Sequence, residues 1–357
     1  MTKDFVLVDG FDYYPNIFSS SNGLQARWSI GGYLGGGNWH LVPGRYTGQA
    51  LQLSGYINTD WGFVQRPLVY QNGTNANTSV LATGFGLRLD QFNVGQPNNE
   101  IMAWTNGGQA GTLICGLGLS EAQQYYFWVG DDQNIVATAS PLITVGAWHS
   151  IGVELTIDPS AGSMNFYMDG QKFISYTGNT GVMPCNNLVL GFFKGFSQTG
   201  IQTFDDLYVS NGTTQEGERQ IILRNPVGNG VSTQWTANTG GVNWAMANAV
   251  PVEEYGNNFV DANTVGYSDI YQMSTLPIMT NAISCVQVVL CGAKDNSETR
   301  IIAPQVYSGG TTVNLTNAAL TNSYLYFTGV LSEDPNTSAP WTVSGVNGSQ
   351  VGQVVVE

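Results

Sequence analysis

Apolar and polar residues alternate with a period of two through most of this 357-residue chain, and that alternation constrains its fold more than any other feature. In GFGLRLD (84–90), Phe85, Leu87 and Leu89 fall on one face. In SIGVELTID (150–158), Ile151, Val153, Leu155 and Ile157 do the same. MNFYMDGQKFISY (164–176) reads as two strands joined at Asp169-Gly170, a type I′ hairpin signal. QYYFWVGDDQNIVATA (124–139) reads as a second hairpin that turns near Gly130-Asp131-Asp132. No long segment carries the i, i+3, i+4, i+7 pattern of an amphipathic helix. Strand-like segments recur roughly every 8–12 residues, which predicts an all-β sandwich or jelly roll.

A polar, glycine-punctuated stretch, NGTTQEGER (211–219), separates two strand-rich regions. It predicts a first domain over 1–213 and a second, smaller β-sandwich domain over 219–357. Charged residues are only 10% of the chain while aromatics reach 11%, so the surface must be finished with Asn, Thr, Ser, Gln and Gly. A net charge of −14 leaves no basic stripe to neutralise phosphates, which argues against nucleic acid and anionic membranes as partners. The apolar runs are too short for a membrane-inserted helix. Residues 1–14 lack the layout of a signal peptide, so synthesis in a cytoplasm is expected. Cys285 and Cys291 flank one strand-like segment and would sit roughly 20 Å apart, beyond disulfide reach. A Cys115–Cys185 bridge stays open as an alternative to buried thiols, which a reducing cytoplasm favours.

Five phrases follow one another in order: LVDGFDYY (7–14), GRYTGQALQLSG (44–55), GAWHSIGVELTID (146–158), FYMDGQKFISYTG (166–178) and FDDLYVSNG (204–212). That series resembles the concanavalin A-like or laminin-G-like jelly roll over about residues 4–212. The resemblance implies that DFVLVDGFDYY (4–14) and QTFDDLYVSNG (202–212) are the first and last strands of one domain, paired antiparallel. STQWTA (232–237), VGYSDIYQM (265–273) and DPNTSAPWTVSGVN (334–347), with the opening VLVDGFDYYP, resemble virion structural proteins of tailed bacteriophages. That second resemblance implies a protein of the particle exterior, made in the host cytoplasm and released by lysis. Its role would be a tail appendage or fibre component, or the adaptor for one, with capsid decoration as the alternative. Its partners would be other virion proteins and further copies of itself, a trimer being the natural guess for an appendage.

Candidate sites follow from residue chemistry. A glycosidase needs two carboxylates about 5–9.5 Å apart. Glu154 and Asp158 point the same way but lie roughly 13 Å apart along a strand. His40 and His149 stand without a nucleophile elbow, and His149 reads as a strand-start residue satisfied locally. The expectation is a chain that is not an enzyme. Calcium is a candidate cofactor, because hard oxygen ligands are abundant. The candidate ligands are Asp9 and Asp12 with Asp205 and Asp206, and Asp131 with Asp132, weighed against ordinary turn carboxylates. Trp39, Trp61 and Trp104 sit in or beside Asn- and Gly-rich loops and are candidate platforms for a host surface glycan. Trp28, Trp128, Trp148 and Trp235 read as core. In the second domain VQVVL (286–290) is apolar on both faces, which predicts a central strand or one covered by a partner subunit.

Overall fold

In the computed structural model the strands form where alternation demands them. The structure describes residues 4–15, 23–31, 39–55, 62–70, 74–91, 98–107, 111–120, 122–141, 143–192, 200–252, 258–277 and 282–357. The chain is almost entirely β. Among the described residues, helical structure is confined to Gly23–Ala26, Asn243–Met246 and Val343–Gly348. It divides into two compact units. The first comprises residues 1–11, 28–70 and 74–221, and the second comprises 12–27, 71–73 and 222–357.

The first unit is a sandwich of two antiparallel sheets. In chain order its strands are β1 (Phe5–Asp9), β2 (Ser29–Gly31), β3 (Trp39–Pro43), β4 (Gln49–Gly55) and β5 (Phe63–Pro67). They continue with β6 (Val80–Gln91), β7 (Asn98–Asn106), β8 (Thr112–Ser120), β9 (Tyr125–Val129) and β10 (Asn134–Ala139). The last are β11 (Trp148–Thr156), β12 (Gly162–Met168), β13 (Gln171–Gly178), β14 (Asn187–Gly191) and β15 (Gly200–Ser210). One sheet runs β13-β12-β11-β6-β15-β4-β3, and the other β10-β9-β8-β7-β14-β5-β2. β1 joins the first sheet by pairing antiparallel with the second half of β15, Val8 opposite Tyr208 and Asp9 opposite Leu207. The first and last strands of the unit therefore close on each other, as the resemblance implied.

Inward-facing residues of both sheets meet in the core, where the Tyr125 and Phe166 rings lie 4.7 Å apart across the sandwich. Phe85, Leu87, Ile151, Val153, Leu155 and Phe204 are all buried there. The Asp169-Gly170 turn has φ of 50° and 78°, the left-handed pair that a type I′ hairpin requires. Cys115 and Cys185 are buried free thiols. Burial pushes both up in pKa, Cys185 to about 12, so neither is poised as a thiolate.

The second unit is built on a sheet in the order Pro226–Thr233, Ser268–Met273, Gln350–Val355, Ile301–Ser308 and Thr311–Asn314. Val286–Gly292 pairs instead with Leu325–Leu331 as a separate ribbon. Val288 on that ribbon is buried with Val306, Trp341 and Val346. Tyr13 and Tyr14 belong to this unit, their rings 5.6 and 5.2 Å from that of Tyr326. Residues 12–27 thus group with the second unit, although the phrase LVDGFDYY reads as one piece. The aromatic side chains after Phe11 find their partners there.

Candidate functional site

Register places a row of polar and aromatic side chains across five strands of the first unit. Trp148 of β11 pairs with Arg88 of β6, Arg88 with Thr203 of β15, Thr203 with Gln52 of β4, and Gln52 with His40 of β3. Directly paired residues share a face of the sheet, and alternate residues share it along a strand. Leu87, Leu89, Ile151 and Phe204 take the core face, so the row stands on the outer one.

Asp90 organises the row. Its Oδ1 accepts from Arg88 Nε at 2.6 Å, and its Oδ2 accepts from Arg88 Nη2 at 3.0 Å. Oδ2 also accepts from Thr203 Oγ1 at 2.7 Å and Gln52 Nε2 at 3.1 Å. The guanidinium carbon lies 5.0 Å from the Trp148 ring centroid. This stacked, forked geometry holds the arginine in one orientation while leaving part of it in solvent. Thr203 is fully buried within the row, and around it the half-buried Arg88, Gln52, His40 and Trp148 offer a fixed donor, an amide, an imidazole and an indole, which is the chemistry that hydroxyl-bearing rings engage.

Beside the row the sheet is floored by glycine. Gly152 of β11 pairs with Gly84 of β6, and Ser150 with Gly86. β15 carries a bulge here, because Asp205 opposes Gly86 while Tyr208 opposes Gly84. The extra residue includes Asp206 at φ 52° and turns Tyr208 onto the outer face. A Cβ on Gly84 would lie 2.4 Å from the Tyr208 ring, so only glycine fits beneath it. A Cβ on Gly152 would meet the Gln215 side chain at 3.1 Å, and one on Gly86 the Arg45 stem at 3.1 Å.

Residues 214–221 cross this floor. Tyr208 Oη accepts from Glu216 N at 2.7 Å and donates to the Gly217 carbonyl at 3.2 Å. Glu154 accepts from Gln215 N at 3.3 Å, from Asn165 Nδ2 at 3.0 Å and from Tyr167 Oη at 2.9 Å. Arg45 Nη2 bonds Glu218 at 2.6 Å, and Tyr46 Oη donates to the same carboxylate. Ile221 N donates to Asp206 at 2.6 Å. Asp205 accepts from Arg45 N at 2.7 Å and Asp206 N at 2.8 Å. Burial, and then the neighbouring Asp206 charge, push the Asp205 carboxyl up to about 7 against those hydrogen bonds.

Of the sequence-derived platforms, Trp39 is 4% exposed and Trp104 is fully buried. Their strand positions turn them inward beside Leu53 and Cys115, so neither offers a ring face to a glycan. Trp61 lies outside the described residues. Trp148, which alternation assigned to the core, is instead half-buried in the outer row.

Among the described residues, no three His, Cys, Asp or Glu side chains are grouped to hold a metal ion. Asp9 accepts from Phe11 N at 2.9 Å and Trp28 Nε1 at 2.8 Å, within the interior. Asp12 is half-buried, while Asp131 and Asp132 are exposed in the β9–β10 turn, where Asp131 accepts from Leu113 N. His149 donates through Nδ1 to Asp169 at 2.7 Å and accepts at Nε2 from Thr144 N, the local satisfaction its position suggested. Sequence reasoning missed Arg88, Asp90, Thr203 and Gln52. The signal for the first two was their place between the inward-facing residues of GFGLRLD.

No protein-family model matches the chain, and no curated protein matches it. Solved structures do. A Trypanosoma rangeli sialidase matches at 18% identity and a TM-score of 0.35, over 49% of this chain and 27% of that one. The carbohydrate esterase of the Shiga toxin-encoding bacteriophage phi24B matches at 15% identity and a TM-score of 0.37, over 58% of this chain and all of that one. A Bacillus subtilis protein of unknown function with a galectin-like fold matches at 8% identity and a TM-score of 0.39, over 58% and 96%. The chain spans only about a third or less of the sialidases. At these identities the likeness shows layered β-structure alone. Sialidases and a carbohydrate esterase stand among these neighbours, so the expectation that the chain is not an enzyme is not carried further.

Proposed function

We propose that this is a protein of the exterior of a tailed-phage particle whose first unit recognises a carbohydrate on the host surface. The observation that carries the recognition half is the row Trp148–Arg88–Thr203–Gln52–His40, with Asp90 orienting the arginine. The phage half rests on the resemblance of VLVDGFDYYP, STQWTA and DPNTSAPWTVSGVN to virion proteins. A tail appendage, fibre component or adaptor suits both halves, because many copies turn weak sugar contacts into avidity.

The second unit is the assembly element in this reading. Its edge strand Pro226–Thr233 exposes Val227 and Val231, at 51% and 54%. Apolar edges of this kind are covered in an assembled particle, by another virion protein or by further copies of the chain.

The test is binding of the intact protein to an array of bacterial O-antigen and capsular glycans. Binding to at least one glycan, lost in Arg88→Ala and Trp148→Ala with the melting temperature retained, supports the reading. No binding above background, or binding that survives both substitutions, defeats it.

A further inference from the structure

We propose that residues 214–219 are a displaceable cover over a second, glycine-floored subsite of the same sugar-binding face. This rests on the carbohydrate reading above and extends it. The subsite would take the next pyranose ring of an oligosaccharide whose first ring lies on the Trp148–Arg88 row.

The floor argues for a ligand. Glycine inside a strand weakens it and commonly marks a place where another group approaches the backbone closely. Here Gly84 and Gly152 are direct cross-strand neighbours, and Gly86 lies one step along β6 toward Arg88. Two residues of strand span roughly 7 Å, about the width of one sugar ring. The floor is therefore contiguous with the polar row. Tyr167 borders it on one side, and the Tyr208 ring lies against Gly84.

The cover argues for displacement. Gln215, Glu216, Gly217 and Glu218 contribute no apolar side chain to the sheet. They are held by hydrogen bonds to Tyr208 Oη and Glu154 and by the exposed Glu218, which takes both Arg45 and Tyr46 Oη. Such attachments exchange for water at little net cost, unlike a buried apolar plug. The groups they release are a phenol hydroxyl, a carboxylate and a guanidinium, all suited to sugar hydroxyls. A cover of this sort lowers apparent affinity by the fraction of time that the subsite is closed.

Two measurements on the full chain test this. Hydrogen–deuterium exchange should show the amides of Gln215 and Glu216 exchanging much faster than those of β6 and β11. Protection equal to that of β11 overturns the cover whatever the glycan result. Glycan-array binding should then be stronger in Glu218→Ala, by about tenfold for the lost Arg45 and Tyr46 attachments. It should be weaker in Gly152→Val, whose side chain fills the floor. Binding that depends on Arg88 and Trp148 but is unmoved by either change overturns the cover and leaves the recognition site standing. If wild type and all variants bind no glycan, the recognition reading fails and the subsite fails with it.

Discussion

The ring of Tyr208 lies over Gly84, 2.4 Å from where a Cβ on that glycine would stand. The contact exists because the bulge at Asp206 shifts Tyr208 onto the outer face of β15, directly opposite Gly84 of β6. A side chain at 84 must evict the tyrosine, and with it the anchor of residues 216 and 217. Gly84→Val is expected to cost about 1–3 kcal/mol, the usual range for overpacking. Urea denaturation measures the loss, and a midpoint equal to wild type would show that Tyr208 moves aside freely.

Closure of the sandwich by β1 predicts the effect of truncation. Val8 faces Tyr208 across the strand pair, and Asp9 takes the Trp28 indole N–H. Removing residues 1–10 takes away the buried Phe5, Leu7 and Val8, uncovers Tyr208 and Val209 on the strand they pair with, and orphans that donor. The first unit should lose its cooperative transition by circular dichroism. A truncated protein that melts like the intact one would refute closure.

Asp205 gives a pH signature. Its folded-state pKa is raised, to about 7, above the ordinary carboxylate value of 3.8. The native state therefore binds more protons than the unfolded state between those values. Its contribution is fully present below pH 3.8 and is lost as pH rises through about 7. The melting temperature of wild type relative to Asp205→Asn should fall across that window and level off above it. A difference that is flat with pH would remove the linkage.

Calcium should leave the melting temperature unchanged. The carboxylates of Asp9, Asp205, Asp206 and Asp131 all accept hydrogen bonds from protein donors, and among the described residues no three acidic side chains are grouped to hold a metal ion. A shift on adding calcium that is reversed by chelator would restore a metal role.

In the second unit Arg224 donates to the carbonyls of Val346 at 2.7 Å and Met273 at 3.4 Å, and to that of Ser274. Partial burial lowers its pKa. Arg224→Met keeps the stem and strips the donors, and should cost about 1.5–3 kcal/mol as a charge-assisted bond is lost. Thermal denaturation of the variant checks this, and an unchanged transition would show the carbonyls to be served by water.

Several elements were legible in the chain. GFGLRLD and SIGVELTID became β6 and β11 because burial on one face imposes a period of two, and that period can be read without knowing the partner strand. Asp169-Gly170 became the expected turn because only those residue types tolerate two successive positive φ angles. The pairing of residues 4–9 with 207–210 followed from a family pattern, not from periodicity.

The candidate site was not legible in the same way. Trp39 and Trp104 carry the same residue type as Trp148, yet they face inward, and local sequence does not state which face of a strand the core will cover. The row from Trp148 to His40 joins residues 40, 52, 88, 148 and 203, whose adjacency is set by strand order and register. The bulge that turns Tyr208 onto the glycine floor reverses the parity on which sequence reading relies. The sequence by itself determined the all-β class, the strands and their turns, because those depend on neighbours along the chain. Only the tertiary structure decided which side chains share a surface, because that depends on which strands lie side by side.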